Sequence, residues 1–264
     1  MRTPAWLLVI LTALPVWAEE DARVTPAPEL FPAITLDRDA GHVDVRGQVI
    51  GEPVEWLELL ACRPGTREHE SVVTLDARAD HLHAALLLLG LTPGTPADAR
   101  WEGEGSDAAL VQTPPRGPAL TVYFLFDDAP DRPVPAGVYV ADQATGTPLD
   151  PAGGGWRFTG SRLVKGRQRA YFLAEENGTV ISLVNFGDDL IARDTPHAAD
   201  GGNGFWALNA VPDGWPALPA PGTPLTVRLA RTPVSAPDAE PAQTAGNPAP
   251  ATSPDNGGES APQH

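Results

Sequence analysis

The chain has 264 residues, with 34 acidic residues against 18 basic ones and a formal net charge of −16. That balance excludes the basic footprint of a nucleic-acid binder and argues against docking on anionic lipid. A single cysteine, Cys62, excludes both an internal disulfide and an iron–sulfur cluster, which needs several protein ligands.

The first 18 residues read as a signal peptide. Arg2 precedes a short apolar run from Trp6 to Leu14, and Val16-Trp17-Ala18 offers small residues at the two positions a signal peptidase reads. The expectation is an exported chain, periplasmic or secreted. No later stretch approaches the about 20 apolar residues of a membrane helix, so no span is expected after processing. Residues 233–264 are rich in Pro, Ala, Ser and Gly, which cannot bury enough apolar surface to offset the entropy of ordering. They are expected to form a disordered tail, which leaves residues 24–232 as one β-rich domain.

Residues 34–50 predict two strands around an Asp39-Ala40-Gly41 turn. Residues 55–62 predict a third, apolar on both faces and therefore mid-sheet or under a helix, with Glu58 beside Trp56, Leu60 and Cys62. Pro64-Gly65 turns the chain, and residues 69–75 are expected to return as a strand. A helix near 80–90 follows, with Asp80 as its N-cap and Gly90 at its far end. Leu82, Ala85, Leu86 and Leu89 form its stripe, and Leu87 and Leu88 extend the apolar surface almost all round, which predicts a buried helix. Residues 93–118 read as loop, anchored by Trp101.

Residues 120–126, LTVYFLF, are the clearest strand, and 137–141 read as another. A glycine-rich turn at 151–155 leads into WRFTGSRLV. Residues 169–184 predict a hairpin about an Asn177-Gly178 turn. FWALN and LTVRLA complete an α+β, β-rich fold: roughly nine to eleven strands, mostly antiparallel, with one buried helix.

Two blocks together resemble the YdjY-domain family of exported bacterial proteins. One runs from Glu58 to Gly94, with HES at 69–71 and HLHAALLLLGLTPG at 81–94. The other is WRFTGS at 156–161 followed by TVISLVNFGDDLIAR at 179–193. The resemblance covers most of residues 28–230. It implies no particular activity, because the family has no established biochemical function, and one cysteine cannot support the ferredoxin-like role attached to some relatives.

The sharpest chemical candidate is a divalent-metal site drawn from Glu58, His69, Glu70 and His83, with Cys62 and His81 nearby in sequence. Helix geometry sets His81 and His83 about 200° apart, on opposite sides of the stripe. Position 73 is Val, so His69-Glu70 makes no H-E-x-x-H motif. The competing reading is a buried, hydrogen-bonded junction with an imidazole held by Glu58 or Glu70. Cys62 lies on an apolar strand face, which suits a packed thiol better than a nucleophile paired with His69. Ser161 lacks the second glycine of a nucleophile elbow.

Trp156, Phe158, Ser161, Phe205 and Trp206 form a candidate ligand face. Asp188, Asp189, Asp194, Asp200 and Asn203 form a candidate calcium loop, outside the EF-hand spacing. The favoured function is a non-catalytic, exported binding or interaction module acting on a small ligand or cell-envelope component. The alternatives are a metal-binding protein or metal-dependent enzyme built on the Glu58 cluster, and a structural accessory domain presenting the tail.

Overall fold

The computed structural model describes residues 28–50, 56–103, 105, 108–149, 153–167, 169–194, 206–209, 211 and 213–232. The expected signal segment and tail, with Asp200, Asn203 and Phe205, lie outside the described residues.

Alternation does most of the building. Val43, Val45, Gly47 and Val49 of β3 (His42–Val49) are buried, whereas Arg46 and Gln48 face solvent. In β17 (Pro224–Arg231), Leu225, Val227 and Leu229 point the same way. The two pair antiparallel over seven residues, and β17 pairs equally with β8 (Ala119–Phe126). From β8 the sheet continues through β11 (Trp156–Phe158), β15 (Ile191–Arg193), β14 (Ile181–Ser182), β4 (Leu59–Cys62) and β5 (Ser71–Leu75). β5 then pairs back to β3, so eight strands close a barrel with no free edge.

The closing seam depends on a glycine. A Cβ on Gly47 would lie 2.1 Å from the carbonyl oxygen of Thr74, so the close approach of β5 to β3 at this position requires a residue without a side chain. β1 (Glu29–Phe31) and β2 (Ile34–Asp37) extend the sheet from the other half of the same β3 edge. β9 (Ala129–Pro135) branches from β8. The chain is β-rich as expected, and most pairings are antiparallel, but β4–β5 and β14–β15 are parallel. There are seventeen strands among the described residues. The excess over expectation includes β6 and β7, five residues each, and the seven-residue β9, besides the three-residue β1 and β15.

Cys62 is buried in β4, as expected for a strand covered on both faces. Residues 68–70 form a one-turn 3₁₀ helix instead of the start of a strand. That turn, with the preceding loop, reverses the chain twice within eight residues, so β5 runs parallel to β4. The helix α1 spans Ala79–Leu88, and its predicted stripe of Leu82, Ala85, Leu86 and Leu89 is buried. Its other side is open: Leu87 and Leu88 are both more than two-fifths exposed, which overturns the all-round burial expected of it.

Gly90, at φ +90°, ends the helix. Its N–H donates to Leu87 O at 2.9 Å, and the Leu91 N–H to Leu86 O at 3.1 Å, the paired bonds of a Schellman cap.

Residues 93–118 are not loop throughout. β6 (Asp98–Glu102) and β7 (Ala109–Thr113) pair into a separate two-stranded ribbon, with Trp101 opposite Leu110. Residues 136–139 are a 3₁₀ turn before β10 (Val140–Asp142), which pairs with β16 (Trp206–Leu208). The expected hairpin at 169–184 is β13 (Ala170–Phe172), paired with β12 (Leu163–Lys165), then a short helix α2 (Leu173–Asn177), then β14. Asn177-Gly178 closes α2, with Gly178 left-handed at φ +78°. The left-handed geometry is the one the dipeptide suits, but it serves a helix end here. No helix among the described residues is long and apolar enough to cross a membrane.

Candidate functional site

Of the candidate ligands Glu58, His69 and Glu70, the two carboxylates come together about Arg67. Its Nη1 pairs with Glu70 Oε1 at 2.5 Å and reaches Glu58 Oε2 at 4.0 Å. Its Nε donates to the Asn177 carbonyl at 3.2 Å, and its guanidinium lies 4.4 Å above the Phe186 ring. Burying the Glu70 carboxylate requires such a partner, since an unpaired charge in the interior is costly. The cation a metal would supply between these carboxylates is therefore supplied by the chain itself.

His69 is not a buried hydrogen-bonded residue. Its side chain is 74% exposed, and its Nε2 stands 3.7 Å from Glu70 Oε2, beyond hydrogen-bond range.

His83 has other neighbours. It is buried on α1 against Phe172 and Phe158, with ring centroids 4.5 and 5.3 Å away, and burial lowers its pKa. His81 stacks on Phe31 at 4.7 Å, on the opposite side of the helix, as the 200° separation requires. Burial raises the Cys62 pKa, which suits a packed thiol. Among the described residues, no three His, Cys, Asp or Glu side chains are grouped as metal ligands.

The N-terminus of α1 holds a residue that the sequence did not flag. Asp80 is not its cap. The Asp80 carboxylate sits within the helix and takes both guanidinium bonds of Arg78, at 2.8 and 2.6 Å, which lowers its pKa. The Ala79 N–H donates instead to Glu175 Oε2 at 2.7 Å, from α2 and 96 positions away. Arg63 and Arg78 flank Glu175 Oε1 at 3.3 and 3.4 Å. A buried carboxylate at a helix N-terminus meets both an orphan N–H and the positive end of the macrodipole.

The 177–190 segment is a polar core. The Asp189 carboxylate is fully buried and accepts from the Phe186 and Gly187 N–H groups at 3.2 and 3.1 Å. Burial pushes its pKa up to about 7, against the pull of Ser182 and with a smaller push from Asp188. Asp188 accepts from the Asn177 amide. Asp194 belongs elsewhere, paired with Arg157 at 2.7 Å. The described part of the expected calcium loop is thus split between protein partners, with Asp188 Oδ1 buried and without a hydrogen-bond partner.

The described aromatics of the expected ligand face are buried. Trp156 and Phe158 are fully buried because β11 runs through the barrel wall, and Trp206, on β16 outside that wall, is nearly so. Ser161 fastens that wall to the acidic segment. It has φ +62°, its N–H and Oγ donate to Asp189 O and Asp188 O at 2.9 and 2.6 Å, and its Oγ accepts from the Ala174 N–H at 3.0 Å. These bonds hold a non-glycine residue in a left-handed conformation that ordinarily costs energy.

Two further features stand outside the expected site. A cavity of about 410 Å³ is lined by Tyr139, Leu208, Asn209, Val211, Trp215, Ala217 and Leu218. The β6–β7 ribbon is exposed along nearly its whole length, with Trp101 at 70% and Leu110 beside it at 45%. Arg162 ties the base of this arm to the start of β12, donating to Asp98 Oδ1 at 3.0 Å and to Ala97 O at 3.4 Å. Leu163, also largely exposed, is the next residue.

No curated protein and no solved structure matches the chain. The model of the YdjY domain matches residues 34–230, from β2 to near the end of β17 and through both halves of the polar junction: the chain belongs to the YdjY-domain family.

Proposed function

We propose that the chain is an exported, non-catalytic interaction module that engages its partner through the β6–β7 arm. Trp101 carries this reading. A large aromatic that is 70% exposed beside a half-exposed leucine, on a ribbon open along both faces, is surface that folding did not cover. Tryptophan is also among the residues enriched at the energetic centres of interfaces. The polar junction supports the same reading from the other side. Arg67, Glu70, Glu175, Ser161 and Asp189 are spent on partners within the chain and hold β4, α1, α2 and the 186–190 segment together. Export rests on the N-terminal pattern of residues 1–18.

The test is photo-crosslinking in the native cell envelope. A photoreactive phenylalanine analogue replaces Trp101 in one sample and Asp128, an exposed position on the β8–β9 turn, in another. An adduct from position 101 that is absent from position 128 is expected. Equal labelling from both positions, or none from 101, would overturn the arm as the working surface.

A further inference from the structure

The geometry points to a second copy of this chain as what the arm binds, through antiparallel pairing of β6 with β6 about a twofold axis at Trp101. This rests on the reading of the arm as the interaction surface and names its partner. The ribbon is a sheet of two strands, so one edge of β6 pairs with β7 and, among the described residues, the other has no strand beside it. A lone two-stranded ribbon is marginal in water and gains from a third and fourth strand.

The charges of β6 choose the register. Arg100 and Glu102 flank Trp101, and within one copy the two bond to each other at 2.7 Å. Antiparallel pairing centred on Trp101 sets each Arg100 opposite the Glu102 of the second copy and brings the two indoles together. Each carboxylate then exchanges a guanidinium two residues away for one across the interface, with no net loss of ion pairs. Other registers are worse. Centring on Arg100 opposes two guanidiniums, and centring on Glu102 opposes two carboxylates. Centring on Ala99 needs Asp98, which Arg162 already holds at 3.0 Å. β7, with sequence ALVQT, carries no charge and so selects no register.

A five-residue strand interface falls below the ~1,200 Å² of stable complexes, so the pairing is a weak, reversible one. The net charge of −16 on each copy opposes it at long range, and about 0.15 M salt screens that repulsion beyond ~8 Å while leaving the contact pairs in place.

Sedimentation equilibrium of the full chain, from about 10 µM to about 1 mM, reads the outcome. The wild type should rise from the mass of one chain towards that of two. Arg100→Glu alone and Glu102→Arg alone should each stay at one. Mixed in equal amounts they should recover the dimer, because each supplies the charge the other lacks. Both sites are exposed, and the swapped double variant, Arg100→Glu with Glu102→Arg, should dimerise by itself and serves if either single variant folds poorly. Single variants that associate like the wild type, or a mixture that stays at one-chain mass, would overturn the register. A wild type at one-chain mass throughout would overturn self-pairing, and an arm that still crosslinks to another molecule would then leave the interaction module standing.

Discussion

Glu175→Ala probes the least expected element of this fold, a helix cap supplied from across the chain. The carboxylate is 11% exposed, accepts from the Ala79 N–H at 2.7 Å, and lies 3.3 Å from Arg63. A hydrogen bond to a charged group contributes about 1.5–3 kcal/mol. The charge at the helix N-terminus adds about 0.3–1 kcal/mol, and the partly buried Arg63 loses a partner. The substitution should therefore cost about 3 kcal/mol. In a domain of this size that lowers Tm by roughly 6–12 °C, at 2–4 °C per kcal/mol. Glu175→Gln keeps an oxygen for the Ala79 N–H and should cost about 1 kcal/mol. Urea unfolding followed by circular dichroism measures both. A loss below about 0.5 kcal/mol for the alanine variant would refute the cap, and equal losses for the two would refute the role of the bonded oxygen.

Arg67→Ala strands the buried Glu70 and should cost about 2–3 kcal/mol. Glu70→Gln in that background should recover about 1 kcal/mol, a coupling that additive losses in a double-mutant cycle would disprove. Asp189 predicts a pH slope. Its folded pKa of about 7 stands above the ordinary ~3.9, so between about pH 4 and 7 the folded state holds a proton that the unfolded chain has released. Its contribution is complete below about pH 4 and is lost as pH rises through 7, by at most ~4 kcal/mol. Asp189→Asn should remove that slope from urea-unfolding stabilities measured at pH 4 and pH 7.5, and parallel profiles for variant and wild type would contradict it.

What was legible in the sequence is what local pattern records. β3, β8 and β17 announce themselves by alternation or β-branched density, the α1 stripe by its period, and Gly90 by its place after the last leucine. The resemblance to the YdjY domain was legible from two separated blocks and is borne out over residues 34–230. What failed depends on distant partners. Asp80 looked like a cap until Glu175 took that place, and Asn177-Gly178 suits a hairpin and a helix end equally well. Trp101, expected to anchor a loop, stands almost bare on the separate β6–β7 ribbon, whereas Trp156, expected on a ligand face, is wholly buried because β11 lies in the barrel wall. Alternation cannot tell these cases apart.

The site fails for another reason. His69, Glu70 and Glu58 read as ligands by residue type, although the guanidinium that pairs with Glu70 and reaches Glu58 stands only three residues before Glu70. A lone arginine in PGTREHES gave no signal that it would be the hub.

Residue-resolved hydrogen exchange of the β6 amides, measured at about 10 µM and at about 1 mM, tests the arm most directly. The account predicts protection that rises with concentration across residues 98–102 and stays unchanged in β8. Exchange in β6 that ignores concentration, or protection that appears only outside the ribbon, would contradict it.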